Sequence, residues 1–140
     1  MKGRVLLDTG PLVAYLDRSD QFHDWAREQF QQIKSPQLTC EPVLAEACHL
    51  LRKVPASHQA VLDLVSRRAL SIPFRLEDEL PAIRQLLRRF ANIPISLADA
   101  CLVRLSEQHP TATVLTIDHD FIVYRKNGRQ VIPTIMPSDD

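Results

Sequence analysis

The chain has 140 residues, 45% of them hydrophobic and 24% charged, the size and mixture of a compact domain that can bury a core without staples. Its 17 basic and 17 acidic residues cancel, so no global field attracts a polyanion, and any nucleic-acid surface has to be local. Cys40, Cys48 and Cys101 form no C-x-x-C pair and suggest neither a disulfide framework nor a zinc site. With no secretory h-region and no run of membrane-spanning length, the expectation is a soluble, cytoplasmic protein that does not engage a membrane.

Ten prolines punctuate the chain without a low-complexity linker or repeat, which favours one domain with short connections. RVLL (residues 4–7) reads as a first strand, and Pro11 then opens the helical spacing of PLVAYLD. QFHDWAREQFQQI (21–33) is an amphipathic helix with Phe22, Trp25, Ala26 and Phe30 on about one face, a core face rather than a base-stacking platform. QLTC (37–40) reads as a second strand. PVLAEACHLLRK (42–53) is apolar around most of its helical surface and is expected to be largely buried.

SHQAVLDLVSRRAL (57–70) follows as a helix, and SIPF (71–74) as a third strand that Pro73 assigns to an edge. Helices over DELPAIRQLLRRFA (78–91) and SLADACLVRLSEQ (96–108) precede ATVLTI (112–117), a β-rich apolar run. DFIVYRKN (120–127) reads as a helical turn or two, and QVI (130–132) as a last short strand. Strands alternating with helices predict an α/β layer architecture around a parallel sheet.

Two strand-like runs end in carboxylates, at Asp8 and at Asp118 with Asp120. Ligands in open parallel sheets sit beyond such strand ends, yet Asp there is also a favoured helix N-cap. Glu46 lies within an apolar helix, where it either joins a polar stripe with His49 and Lys53 or meets a charged partner. Asp99 has the form of a capping box with Ser96 and directly precedes apolar ACLV. Taken jointly, two strand ends and two helices each contribute one carboxylate, and a hard divalent cation removes the cost of crowding them. An all-oxygen set favours Mg²⁺ or Mn²⁺ over zinc. Two basic groups, Arg84, Arg88 and Arg89, and Arg125, Lys126 and Arg129, read as solvated faces or as a local nucleic-acid surface.

In this order, LLDTGPLVAYLD, EPVLAEACHLL, ISLADACLV and VLTIDHDF resemble the four acidic blocks of the PIN-domain nucleases, and the chain looks most like VapC-type toxin ribonucleases within them. The resemblance runs from near Met1 to about Tyr124 and implies a single PIN-like domain over residues 1–140, a three-layer α/β fold with a small parallel sheet flanked by helices. It implies an acidic cluster holding Mg²⁺ or Mn²⁺ for RNA hydrolysis. Carried over by position, the catalytic and metal-binding carboxylates are Asp8, Glu46, Asp99 and Asp118, with Thr116 and Asp120 in supporting places. It further implies an RNA substrate, a cognate antitoxin and a homodimer. The rival readings are a solitary PIN nuclease, a degenerate PIN fold that only binds, and a haloacid-dehalogenase-type phosphatase. The last expects a second Asp where this chain has Gly10, and degenerate members lose acidic positions that are all present here.

Overall fold

The computed structural model describes residues 3–138, so Met1, Lys2, Asp139 and Asp140 of the expected 1–140 domain lie outside the described residues. Strands β1 (Val5–Leu7), β2 (Gln37–Leu38), β3 (Leu70–Ser71), β4 (Thr113–Leu115) and β7 (Thr134–Ile135) form one parallel sheet in the order β3-β2-β1-β4-β7. The helices are α1 (Thr9–Leu16), α2 (His23–Gln32), α3 (Glu41–Leu50), α4 (Ser57–Ser66), α5 (Leu80–Arg89), α6 (Leu97–Gln108) and the single turn α7 (Asp120–Val123). β5 (Arg125–Lys126) and β6 (Gln130–Val131) make a separate antiparallel pair.

Alternation along the strands produces two cores, because successive side chains leave opposite faces of a sheet. Leu6, Leu38 and Val114 join Ile83, Leu86, Leu102, Leu105 and Phe121 on the face covered by α5 and α6. Leu7 and Leu115 face the other way and pack with Leu12, Leu44, Leu51, Val61 and Leu64 from α1, α3 and α4. This is the three-layer arrangement expected from the alternation of strands and helices. The three cysteines are free thiols, and no helix among the described residues is long and apolar enough to cross a membrane.

Four local expectations are corrected. The last strand of the main sheet is Thr134–Ile135, set between Pro133 and Pro137, whereas Gln130–Val131 pairs with Arg125–Lys126 in the hairpin. The helical reading of DFIVYRKN stops at Val123, because Asn127 (φ 50°) and Gly128 (φ 86°) occupy the left-handed region that reverses the chain into β6. α4 ends at Ser66 rather than near Leu70, since Arg68 takes φ 62° and turns the chain into β3. α3 is not largely buried: Val43, Leu44 and Ala47 face the core, whereas Ala45, Glu46, His49 and Leu50 face solvent. The edge position foreseen for β3 is observed, with Pro73 just beyond it.

Candidate active site

Chain order along the sheet reverses between β1 and β4: the chain steps outward from β1 through β2 to β3, then returns to the other side of β1. A crevice opens at such a reversal, outside the carboxyl ends of the two strands. Asp8 follows β1, and Thr116 and Asp118 follow β4. The Asp8 N–H bonds to the Leu115 carbonyl at 3.1 Å, so the pairing of the two strands continues up to the carboxylate.

Asp8 combines both roles weighed from sequence. One carboxylate oxygen accepts from Thr9 N–H at 2.8 Å and caps α1, and the other accepts from the Thr116 hydroxyl at 2.6 Å. Thr116 Oγ1 in turn accepts from Asp118 N–H at 2.9 Å, which fixes the loop after β4 against β1. Asp118 Oδ1 accepts from Asp120 N–H at 2.9 Å, starting α7, so the backbone of Asp120 is what the local geometry uses. Gly10 has a packing reason: a Cβ there would meet Ile117 Cδ1 at 3.3 Å, tight against the loop that carries Asp118.

Asp99 enters from α6. Ser96 Oγ accepts its N–H at 3.0 Å, as the capping-box spacing foretold, and its carboxylate accepts from the Tyr124 hydroxyl at 3.0 Å. Tyr124 is a participant that the sequence did not single out. Its ring is fully buried beside Phe90 and Phe121, and a buried phenol needs a polar partner, which was the available signal.

Ligand-capable atoms of Asp8, Asp99 and Asp118 lie within 4.8 Å of one another. Glu46 stands outside that trio on the solvent side of α3 but lines the same cavity of about 290 Å³, together with Thr9, Gly10, Leu50 and Ile117. Burial pushes the Asp8 carboxyl up to about 7, against the opposing bonds from Thr116 and Thr9, with the charges of Asp99 and Asp118 adding to the rise. Burial likewise pushes Asp99 up to about 6; the Tyr124 hydroxyl opposes this, and the charges of Asp118 and Glu46 add to it. The cluster by itself therefore holds protons near neutrality, and a divalent cation would replace them. The donor set fits a hard cation. The Thr9 hydroxyl, buried beside Asp8, has no hydrogen-bond partner, so a polar atom at the site is left for a further group.

The basic groups divide differently from their grouping in sequence. Arg89 donates to the Gly128 carbonyl and lies over the Phe90 ring, Arg125 donates to the carbonyls of Ile122, Val123 and Tyr124, and Lys126 is buried with its ammonium on the Pro110 carbonyl at 3.0 Å. Lys126 is thus a structural cation and not a surface one. Arg84, Arg88 and Arg129 are exposed and free of such bonds.

A comparison with family models matches residues 5–127 to the PIN domain. No match is found among curated proteins. Among solved structures, the fold is similar to that of the Sarcin-Ricin loop cleaving toxin VapC20 of Mycobacterium tuberculosis, with a TM-score of 0.70 and 18% identity over 83% of this chain and 91% of that one. The family match covers most of the chain and all four carboxylate positions, and the chain belongs to the PIN-domain family.

Proposed function

We propose that the chain is an Mg²⁺- or Mn²⁺-dependent endoribonuclease, the toxin of a toxin–antitoxin pair. The observation that carries this reading is the convergence of Asp8, Asp99 and Asp118 at the sheet's reversal point, within 4.8 Å of one another. Similarity to a toxin that cleaves the Sarcin-Ricin loop supports a structured RNA loop as the substrate class. A cognate antitoxin, a homodimer and a cytoplasmic location belong to the same reading.

Asp8, Asp99 and Asp118 would hold the ion, with Thr116 and Thr9 fixing Asp8 and with Tyr124 fixing Asp99. A bound ion there would lower the pKa of a water and offset charge on the phosphate. Glu46, on the solvent side of the same cavity, orients the attacking water. Asp120 supports the site through its N–H on Asp118. Arg84, Arg88 and Arg129 supply the phosphate contacts, because Arg89, Arg125 and Lys126 are committed to main-chain carbonyls. Hydrolysis of one P–O bond by water then leaves a phosphate on one RNA end and a hydroxyl on the other.

The test is cleavage of a structured RNA with Mg²⁺, with Mn²⁺ and in EDTA, by wild type and by Asp99→Asn. Cleavage is expected with either metal only, and not with the variant. Equal cleavage in EDTA by metal-free protein overturns the assignment.

A further inference from the structure

Two buried side-chain polar atoms among the described residues have no hydrogen-bond partner, and each belongs to a residue that lines a cavity. Thr9 Oγ1 is at the acidic site; the other is Gln37 Oε1. Gln37 is only 4% exposed, at the start of β2. Because the sheet is parallel, that places it at the end opposite to Asp8, which follows the last residue of β1. An unpaired amide oxygen inside a protein is destabilising, so it calls for a partner.

Gln37 borders a cavity of about 410 Å³, which shares Tyr15, Arg27, Leu64 and Arg67 with a neighbouring one of about 750 Å³. The two adjoin along those shared residues in a recess between α1, α2 and α4, and each is within the size range of small-molecule sites. No residue of it lines the acidic cavity. Its wall is aromatic, with Tyr15 and Phe30 stacked at 4.0 Å, and its rim is cationic. Arg18, Arg27 and Arg67 are exposed there, their guanidinium groups without a hydrogen bond or ion pair, against one carboxylate, Asp63.

We propose that this recess is a second ligand site and that it takes a nucleotide. An amide presents an acceptor and a donor side by side, the complement of a base edge, and guanidinium forks match phosphate oxygens. A simple anion would satisfy the arginines but leave the Gln37 oxygen unpaired; a base carrying N–H donors satisfies both ends. The nucleotide is either free or one residue of an RNA strand. The site does not rest on the nuclease reading, since no group of the acidic cluster belongs to it.

The test is calorimetry in EDTA at low salt with the four nucleoside 5′-monophosphates, inorganic phosphate, a six-residue oligoglutamate and a short single-stranded DNA that ribonucleases do not cut. At least one monophosphate is expected to bind at one site per chain, about tenfold more tightly than inorganic phosphate. Arg27→Gln with Arg67→Gln is expected to weaken it by about tenfold or more. Gln37→Met should weaken it by roughly fivefold while raising the melting temperature, because an unpaired buried amide is removed. Asp8→Asn should bind as wild type does. Displacement of the monophosphate by the oligonucleotide assigns the site to a strand; no displacement assigns it to a free nucleotide. The proposal is overturned if no monophosphate binds better than inorganic phosphate or oligoglutamate, or if the arginine pair or Gln37→Met leaves affinity unchanged. The two arginines are exposed, so that arm reports even if Gln37→Met fails to fold.

Discussion

Tyr124 separates two meanings of a buried hydroxyl at the scale of one residue. Its ring packs edge-on against Phe90 and Phe121 at 5.3 and 5.2 Å, and its oxygen reaches only the Asp99 carboxylate. Tyr124→Phe keeps the packing and removes the donor that opposes the rise of the Asp99 pKa. The expected cost is about 1 kcal/mol, or roughly 3 °C in Tm for a domain of this size. If the hydroxyl positions Asp99 for an ion, affinity for Mn²⁺ also falls, by about tenfold. Calorimetric titration of both proteins with Mn²⁺ decides: equal affinities would reduce Tyr124 to a packing residue. The phenol itself is driven well above its usual range, by burial first and then by the Asp99 charge, so it is a donor at every working pH.

Elements decide what the basic residues do. α5 and the β5–β6 hairpin are joined by Arg89 on the Gly128 carbonyl, and α6 is joined to the hairpin by Glu107 accepting from Asn127 N–H at 2.6 Å. Lys126 closes the unit on Pro110. Arg84→Gln with Arg88→Gln should therefore leave Tm unchanged, weaken RNA binding and lower the salt slope by about 1.4, the single-strand value for two phosphate contacts. Lys126→Met should do the reverse, lowering Tm by roughly 3 °C for about 1 kcal/mol of lost hydrogen bonding with no change in salt slope. Filter binding across a salt series and thermal melts check both; a lower slope for Lys126→Met alone would invert the assignment. The hairpin also marks where the sequence was least legible. Asn127-Gly128 is a turn signal, but a helical pattern read through Tyr124 to Asn127 overran it, and strands of two residues carry no periodicity. β7 is equally short and lies between prolines. By contrast β1 and β4 were legible because each apolar run is followed closely by a carboxylate, and α6 because its apolar pattern follows the Ser96 cap. The acidic trio was legible from local signals as well: Asp8 caps α1, Asp99 follows the Ser96 cap at capping-box spacing, and Asp118 accepts from the Asp120 N–H at the start of α7. Tyr124 and Gln37 were not, since their significance lies in partners contributed, or withheld, by distant elements.

For the whole molecule, the sheet's reversal point imposes crowding of carboxylates that folding alone does not reward. The unfolded chain releases the Asp8 proton near the ordinary 3.8, whereas the folded chain holds it to about 7, and Asp99 is held to about 6. Between those values the native state binds more protons than the unfolded state, so stability is fully present below pH 4 and is lost as pH rises through 7. Without metal the loss from pH 5 to pH 8 that comes from Asp8 alone is on the order of 2–3 kcal/mol, or roughly 5–10 °C in Tm. Asp8→Asn keeps an oxygen for Thr9 N–H and removes the most strongly shifted charge, at the cost of a poorer match to the Thr116 hydroxyl. The variant should accordingly melt close to wild type at pH 5 and several degrees above it at pH 8 in EDTA. Millimolar Mn²⁺ should reverse that order at pH 8, because wild type binds the ion more tightly and gains more from mass action. At pH 5 protons hold the site and the metal shift should nearly vanish for both. Four melts of each protein, at pH 5 and pH 8 with EDTA or Mn²⁺, contain the whole test. Parallel pH profiles and equal metal shifts would mean that Asp8 caps α1 and does nothing more.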